Sequence, residues 1–165
     1  MVNLLSVPVL GLLVMLQVAV FSNLTVLNGT VDIVFLAVIA WTLQEQVRNG
    51  WVWALIAGLI LSAVSALPFF PYLAGYLAAG LLAEFIKRRI WQTPALAMFF
   101  VTVVGTILVQ FLSLGVLLFM GTRLEWMESI NLVILPSTLL NLLLALPVYL
   151  IMSDLANWVY PMENE

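Results

Sequence analysis

"LPSTLLNLLLALPVYLIM" (residues 135–152) is long and apolar enough to cross a bilayer, yet it holds two prolines with an asparagine between them. A helix in lipid must satisfy its backbone groups internally, and a proline deletes one amide donor and displaces the carbonyl four residues earlier. For Pro136 and Pro147 those carbonyls belong to Leu132 and Leu143. The two prolines are eleven residues apart, close to three whole turns, so they share a face with Leu140 and Leu143 and their bends add. On the other face Ser137, Thr138, Asn141 and Ala145 form a stripe of small and polar groups. An amide facing lipid costs more than one with a partner, and interhelical hydrogen bonds of this kind contribute about 1 kcal/mol. The spacing predicts a bowed helix whose polar stripe faces protein.

The rest of the chain is of the same kind. It has 165 residues, 65% of them hydrophobic and 8% charged, and a mean hydropathy of +1.21, against the roughly half apolar content of soluble domains. Such a composition is that of an integral membrane protein. Apolar runs recur with short connections, which leaves no room for a soluble domain, so residues 1–165 are expected to form a single all-α transmembrane domain. Cys and His are both absent, which excludes disulfides, thiolate chemistry and imidazole ligands or bases. No cofactor or metal is expected, and any metal would need oxygen ligands. The net charge of −3 comes from few groups at helix ends, and no nucleic-acid partner is expected.

Six helices are predicted. The first covers residues 4–21 and lacks the basic start and small-residue cleavage site of a signal peptide, so it is expected to be retained. The second covers about 30–43, short for a span unless it begins near residue 24. The third (51–67) stops at "PFFP" and the fourth (71–86) runs into "KRR". Thr93-Pro94 opens the fifth as an N-cap followed by proline at the first helical position, and Gly121 closes it after Met120. The sixth covers about 130–152 and ends before Pro161.

Lys87, Arg88 and Arg89 make the loop between helices four and five cytoplasmic by the positive-inside rule. Alternation then puts Arg48 inside, Arg123 outside and both termini in the cytoplasm. The aromatic residues follow the same pattern, with Trp41, Trp51, Trp53, Trp91, Trp158 and Tyr160 at the inner boundary and Phe69, Phe70, Tyr72 and Trp126 at the outer one. "NLT" at Asn23 and "NGT" at Asn28 fall in an outer loop and read as turn chemistry, with Thr30 capping helix two.

Asp32 has two readings. In the first turn of helix two it complements the macrodipole, and as an ionisable group near the outer face it is also placed to meet a partner's donor. Polar stripes recur elsewhere. Thr102, Thr106, Gln110 and Ser113, with Gly105 beside them, line helix five; Gly58, Ser62 and Ser65 line helix three; Gly75, Ala79 and Ala83 make a small-residue seam on helix four. Such seams permit close helix approach, either as packing within one bundle or as a groove for another chain's helix or a ligand. Asp32, Gln110 and Asn141 are therefore candidates for partner binding or for the bundle interior. Glu84 pairs helically with Lys87 and Arg88, Glu125 and Glu128 lie with Arg123 on an outer loop, and Asp154 is interfacial. No spacing brings two carboxylates together at membrane depth and no Ser or Thr has an evident base, so the chain is not expected to be an enzyme.

The run "LPSTLLNLLLALPVYLIM", a short second helix begun through "VD", and the pair "ALIAGLILSAVSALPFFPYLAGYLAAGLLAEFIKRRI" together resemble the MreD family of bacterial rod shape-determining membrane proteins. The resemblance spans the whole chain, and its most specific parts are Asp32 and the Pro136, Asn141, Pro147 arrangement. It departs from the family at Ser62, where members commonly carry an acidic residue. It implies an inner-membrane scaffold of cell-wall elongation that binds the single-span protein MreC and works beside MreB, RodA and its partner transpeptidase. It also implies a fold similar to the S-components of energy-coupling-factor transporters.

A rival reading uses the same six helices as an S-component-like substrate-binding subunit. That reading requires a hydrated outer cavity with convergent polar groups, which Gln17, Asp32, Gln110 and Asn141 are able to supply.

Overall fold

The computed structural model describes residues 2–19, 29–65, 69–89, 93–122 and 126–160. Among these residues the chain is helical, without strands. The first five helices are α1 (Val2–Ala19), α2 (Ile33–Thr42), α3 (Gly50–Val64), α4 (Phe69–Arg89) and α5 (Pro94–Phe119). The sixth, α6, begins as Trp126–Ser129, widens to a π turn over Ile130–Ile134 and continues as an α-helix over Leu135–Val159. Two helices, α5 and the Met127–Val159 stretch of α6, are long and apolar enough to cross a membrane.

The organising element is the shortest. Ten residues give α2 a length of about 15 Å, and every residue from Val34 to Thr42 is buried. A helix apolar on all sides has no lipid-facing or solvent face to prefer, so it is stable where it is covered all round. The other five helices supply that cover: α3, α4, α5 and α6 pack in sequence around α2, and α1 lies against α2 and α3. The outer surfaces of this ring carry exposed apolar side chains such as Leu12, Leu81, Phe100, Leu139 and Leu150.

Position along the chain placed Trp41 and Trp53 at the inner boundary. Both are buried in the core, 1% exposed, with rings stacked 4.2 Å apart where α2 meets α3. Trp51 and Trp158 remain exposed. Tyr72, expected at the outer boundary, is half-buried against the bundle interior. Trp91, Asn23, Asn28, Arg123 and Glu125 lie outside the described residues, as do the side chains of Phe69 and Trp126.

Helix ends follow local chemistry. Thr93 precedes Pro94 at the start of α5. At its end Thr122 N–H bonds Leu117 O (3.1 Å) and Gly121 N–H bonds Leu118 O (3.0 Å), with Gly121 at φ +83°. This is a Schellman cap, which needs a residue free to adopt the left-handed conformation. At the other end of the ring, Lys87 in the last turn of α4 turns away from Glu84. Its Nζ donates to the carbonyls of Thr42 (2.8 Å), Gln44 (3.3 Å) and Val47 (2.6 Å), closing the end of α2 and the connection to α3. Glu84 pairs with Arg88 alone (3.1 Å). Lys87→Met is expected to destabilise by about 2 kcal/mol, because charge-assisted bonds to the carbonyls at the end of α2 and in its connection to α3 are lost. Arg88→Met should change stability by no more than about 0.5 kcal/mol, since its pair is exposed. Thermal unfolding of the two variants side by side checks the contrast, and equal losses would remove Lys87 as the clamp.

The sixth helix starts earlier than its sequence reading, at Trp126, and runs to Val159, ending before Pro161 as that reading has it. The reason at its start is Pro136. The π turn carries Leu135 N–H to Ile130 O, five residues back, so the widened backbone accommodates the proline that lacks an amide and would press on Leu132 O. Pro147 lies within the following α-helical segment. Ser137, Asn141 and Ala145 are buried, and the same face continues through Met152 and Ala156.

Candidate functional site

The buried face of α6 meets backbone. Four residues before α2, Gly29, Thr30, Val31 and Asp32, run beside α6 without helical structure. Outside regular structure their amides need other partners, and α6 provides them for Thr30 and Asp32. Thr30 N–H donates to Ser137 Oγ (2.9 Å) and Asp32 N–H donates to Asn141 Oδ1 (2.9 Å), four residues further along the same face. Asn141 is oriented by its own amide, which donates to Thr106 Oγ1 on α5 (3.2 Å). Gly29 lies where a β-carbon would stand 2.7 Å from Pro136 Cβ and 2.9 Å from both Pro136 C and Ser137 N. The polar stripe of α6 thus serves as the partner of an irregular segment, which explains its composition better than helix–helix packing alone.

Asp32 ends this segment and begins the helix. It is the N-cap of α2, accepting Phe35 N–H at Oδ1 (3.0 Å). The sequence reading had Thr30 as the cap and Asp32 one turn inside. The carboxylate displaces the hydroxyl from that role because it reaches the third amide of the helix, while Thr30 is held by Ser137. The Tyr76 hydroxyl of α4 lies 2.6 Å from both carboxylate oxygens, and its single proton is shared between them. Gln17 of α1 reaches the same helix start, its side-chain oxygen accepting Val34 N–H (3.0 Å). Four elements, α1, α2, α4 and α6, therefore meet at one helix start. The ring of Tyr76 packs edge-on to Phe35, with centroids 5.2 Å apart.

Beside this latch is a cavity of about 240 Å³ whose lining includes Gln17, Asp32, Gln110 and Asn141. These four come from α1, the lead-in to α2, α5 and α6, and the structure brings them together. Thr106, Ser113, Phe35 and Tyr72 complete much of the wall, and among the described residues no Lys or Arg contributes to it. Ser113 is satisfied by Val109 O of its own helix (2.9 Å). Gln110, half-buried on the cavity wall, makes no hydrogen bond among the described residues. Sequence reasoning missed Tyr76. Its apolar neighbours on α4 mark it as a packing residue, and only the tertiary approach of Asp32 gives its hydroxyl a role.

The small-residue seams face inward. Gly58 of α3 abuts Leu73 and Tyr72 of α4, Gly75 of α4 abuts Val109 of α5, and Gly105 of α5 abuts Phe35 and Ala79. They set the spacing of the ring helices around α2. Thr102, on the same stripe of α5, is buried with its hydroxyl unpaired. No family model, curated protein or solved structure matches this chain.

Proposed function

We propose that the chain is a multi-pass scaffold of the bacterial inner membrane, acting without catalysis in cell-wall elongation by holding an MreC-like single-span protein, as the resemblance to MreD implies. MreB, RodA and its transpeptidase would join through that complex. The observation that supports this reading is the disposition of polarity. The polar groups at the centre of the bundle bond to one another around a buried helix, and the ring around them presents apolar side chains outward, a surface for lipid and for other membrane helices.

In this proposal all six helical elements cross. The second crossing is composite: about 13 Å of extended segment and about 15 Å of helix together approach the roughly 30 Å of hydrocarbon. Irregular backbone at that depth is tolerated when buried in protein with its amides bonded, the condition that Ser137 and Asn141 meet for Thr30 and Asp32. Both termini then face the cytoplasm; a reporter fused at Glu165 and found outside would overturn the topology.

Because Asp32 and Asn141 bond within the bundle, the partner's contact is expected on the outside of the ring. Copurification of the tagged protein from its native membrane, with mass spectrometry, tests the proposal. Stoichiometric recovery of an MreC-like protein is the expected result. Recovery of an ATPase and a coupling subunit instead would overturn it in favour of a second reading, the S-component-like substrate-binding subunit. The cavity lined by Gln17, Asp32, Gln110 and Asn141 favours that alternative.

A further inference from the structure

We propose that the cavity beside Asp32 is a recognition site for a compact organic monocation, a primary ammonium or guanidinium group carried on a few carbons. The inference rests on the second reading only in requiring that the cavity admit a guest, and it holds equally for a scaffold whose partner supplies the cation.

Three features of the wall select that chemistry. Charge is the first: among the described residues Asp32 is the wall's one carboxylate and no basic side chain lines it. An ionised carboxylate in such surroundings favours a cationic guest, because the pair compensates the desolvation of both. The state of Asp32 fits this role. Among the described residues its carboxylate is contacted by donors, Tyr76 Oη and Phe35 N–H, and those contacts fix its orientation. Among the described residues Oδ2 receives only the shared Tyr76 proton, so acceptor capacity remains for a guest.

The second feature is the combination of Phe35 and Tyr72 with the carboxylate. Aromatic rings attract cations through their negative faces, and that attraction grows when water is excluded. The third is Gln110, whose carbonyl oxygen has no donor among the described residues and can accept a second N–H from an ammonium or guanidinium group. Size then limits the guest. A cavity of about 240 Å³ has room for a four-carbon amine.

The test uses the full-length protein in lipid nanodiscs, with 1-butylammonium and methylguanidinium as probes and 1-butanol as the uncharged control, read by thermal unfolding and calorimetry. Both cations are expected to raise the unfolding temperature and 1-butanol is not. Asp32→Asn keeps an N-cap and an acceptor for Tyr76, so it should fold while weakening cation binding at least about tenfold. Gln110→Leu removes no bond of the folded chain and should weaken binding with stability unchanged.

The source of the cation is distinguished by repeating the titration on the copurified complex. A response there like that of the isolated protein identifies a free amine. A response lost in the complex identifies a Lys or Arg side chain of the partner already in place. Equal binding of 1-butanol, or of the cations to Asp32→Asn, would overturn the charge assignment while leaving a guest cavity. Absence of any response in the isolated wild-type protein would overturn the site itself.

Discussion

Asp32→Ala is expected to lower the stability of the protein by about 2–5 kcal/mol. Two losses combine. The N-cap of α2 disappears, worth about 0.5–2 kcal/mol, and the Tyr76 hydroxyl, on a side chain 0% exposed, is left without its acceptor at a further cost of about 1–3 kcal/mol. In thermal unfolding followed by tryptophan fluorescence, that corresponds to a fall of about 5–15 °C for a chain of this size. Asp32→Asn should cost about 1 kcal/mol or less, since asparagine caps as well as aspartate and still accepts from Tyr76. Tyr76→Phe removes the same contact from the other side, so the double variant should lose less than the sum of the single losses by about 1–3 kcal/mol. Strict additivity would show that the carboxylate and the hydroxyl do not act together, whatever each single change costs.

The cooperativity expected at Asp32 bears on how much of the protein is readable before it is folded. Features determined within one or two turns were legible. Thr93-Pro94 and Gly121 bound α5 because caps depend on neighbours in sequence, and the stripe through Ser137 and Asn141 follows from the period of an α-helix. The extent of α2 was less so. With apolar residues on every side it has no preferred face, and nothing in the sequence distinguishes lipid from protein as its surroundings. Trp41 and Trp53 therefore read as boundary residues by their position, while the fold uses them as a stacked pair in the core. Lys87 was misassigned for a related reason. Its helical neighbour Glu84 is visible in the sequence, whereas the three carbonyls it engages lie 40 to 45 residues away.

The site divides along the same line. Gln17, Asp32, Gln110 and Asn141 were named as groups able to line one cavity because each is a polar residue on an apolar element, and the fold gathers all four. What they do there depends on geometry that spacing does not carry. Asn141 reads as glue between helices five and six, and it does donate to Thr106, but its oxygen is engaged by the backbone of Asp32. A polar stripe in an apolar helix has as possible partners not only another helix's side chains but also any backbone that leaves regular structure, which sequence patterns do not mark.

That backbone segment is the place where a single added side chain should do most harm. Gly29→Val is expected to destabilise by about 3–5 kcal/mol, above the usual range for overpacking. The new β-carbon meets Pro136 Cβ at 2.7 Å and the backbone atoms Pro136 C and Ser137 N at 2.9 Å, so no flexible side chain can move aside. Relief requires that residues 29–32 separate from α6. Separation breaks the bonds from Thr30 to Ser137 and from Asp32 to Asn141, adding about 1 kcal/mol for each. Pro136 stiffens the opposing surface, because the π turn before it already accommodates its missing amide. Gly115→Val provides the control, since a β-carbon there meets nothing within 4 Å and the change should stay within about 1 kcal/mol. Unfolding temperature and the yield of monodisperse protein measure both variants. If Gly29→Val were as stable as Gly115→Val, residues 29–32 would not be held against α6, and the composite second crossing would lose its support. A large loss at Gly29 alone ties the irregular segment, the proline helix and the capped α2 into one cooperative unit, in which Pro136 and Asn141 have a common purpose.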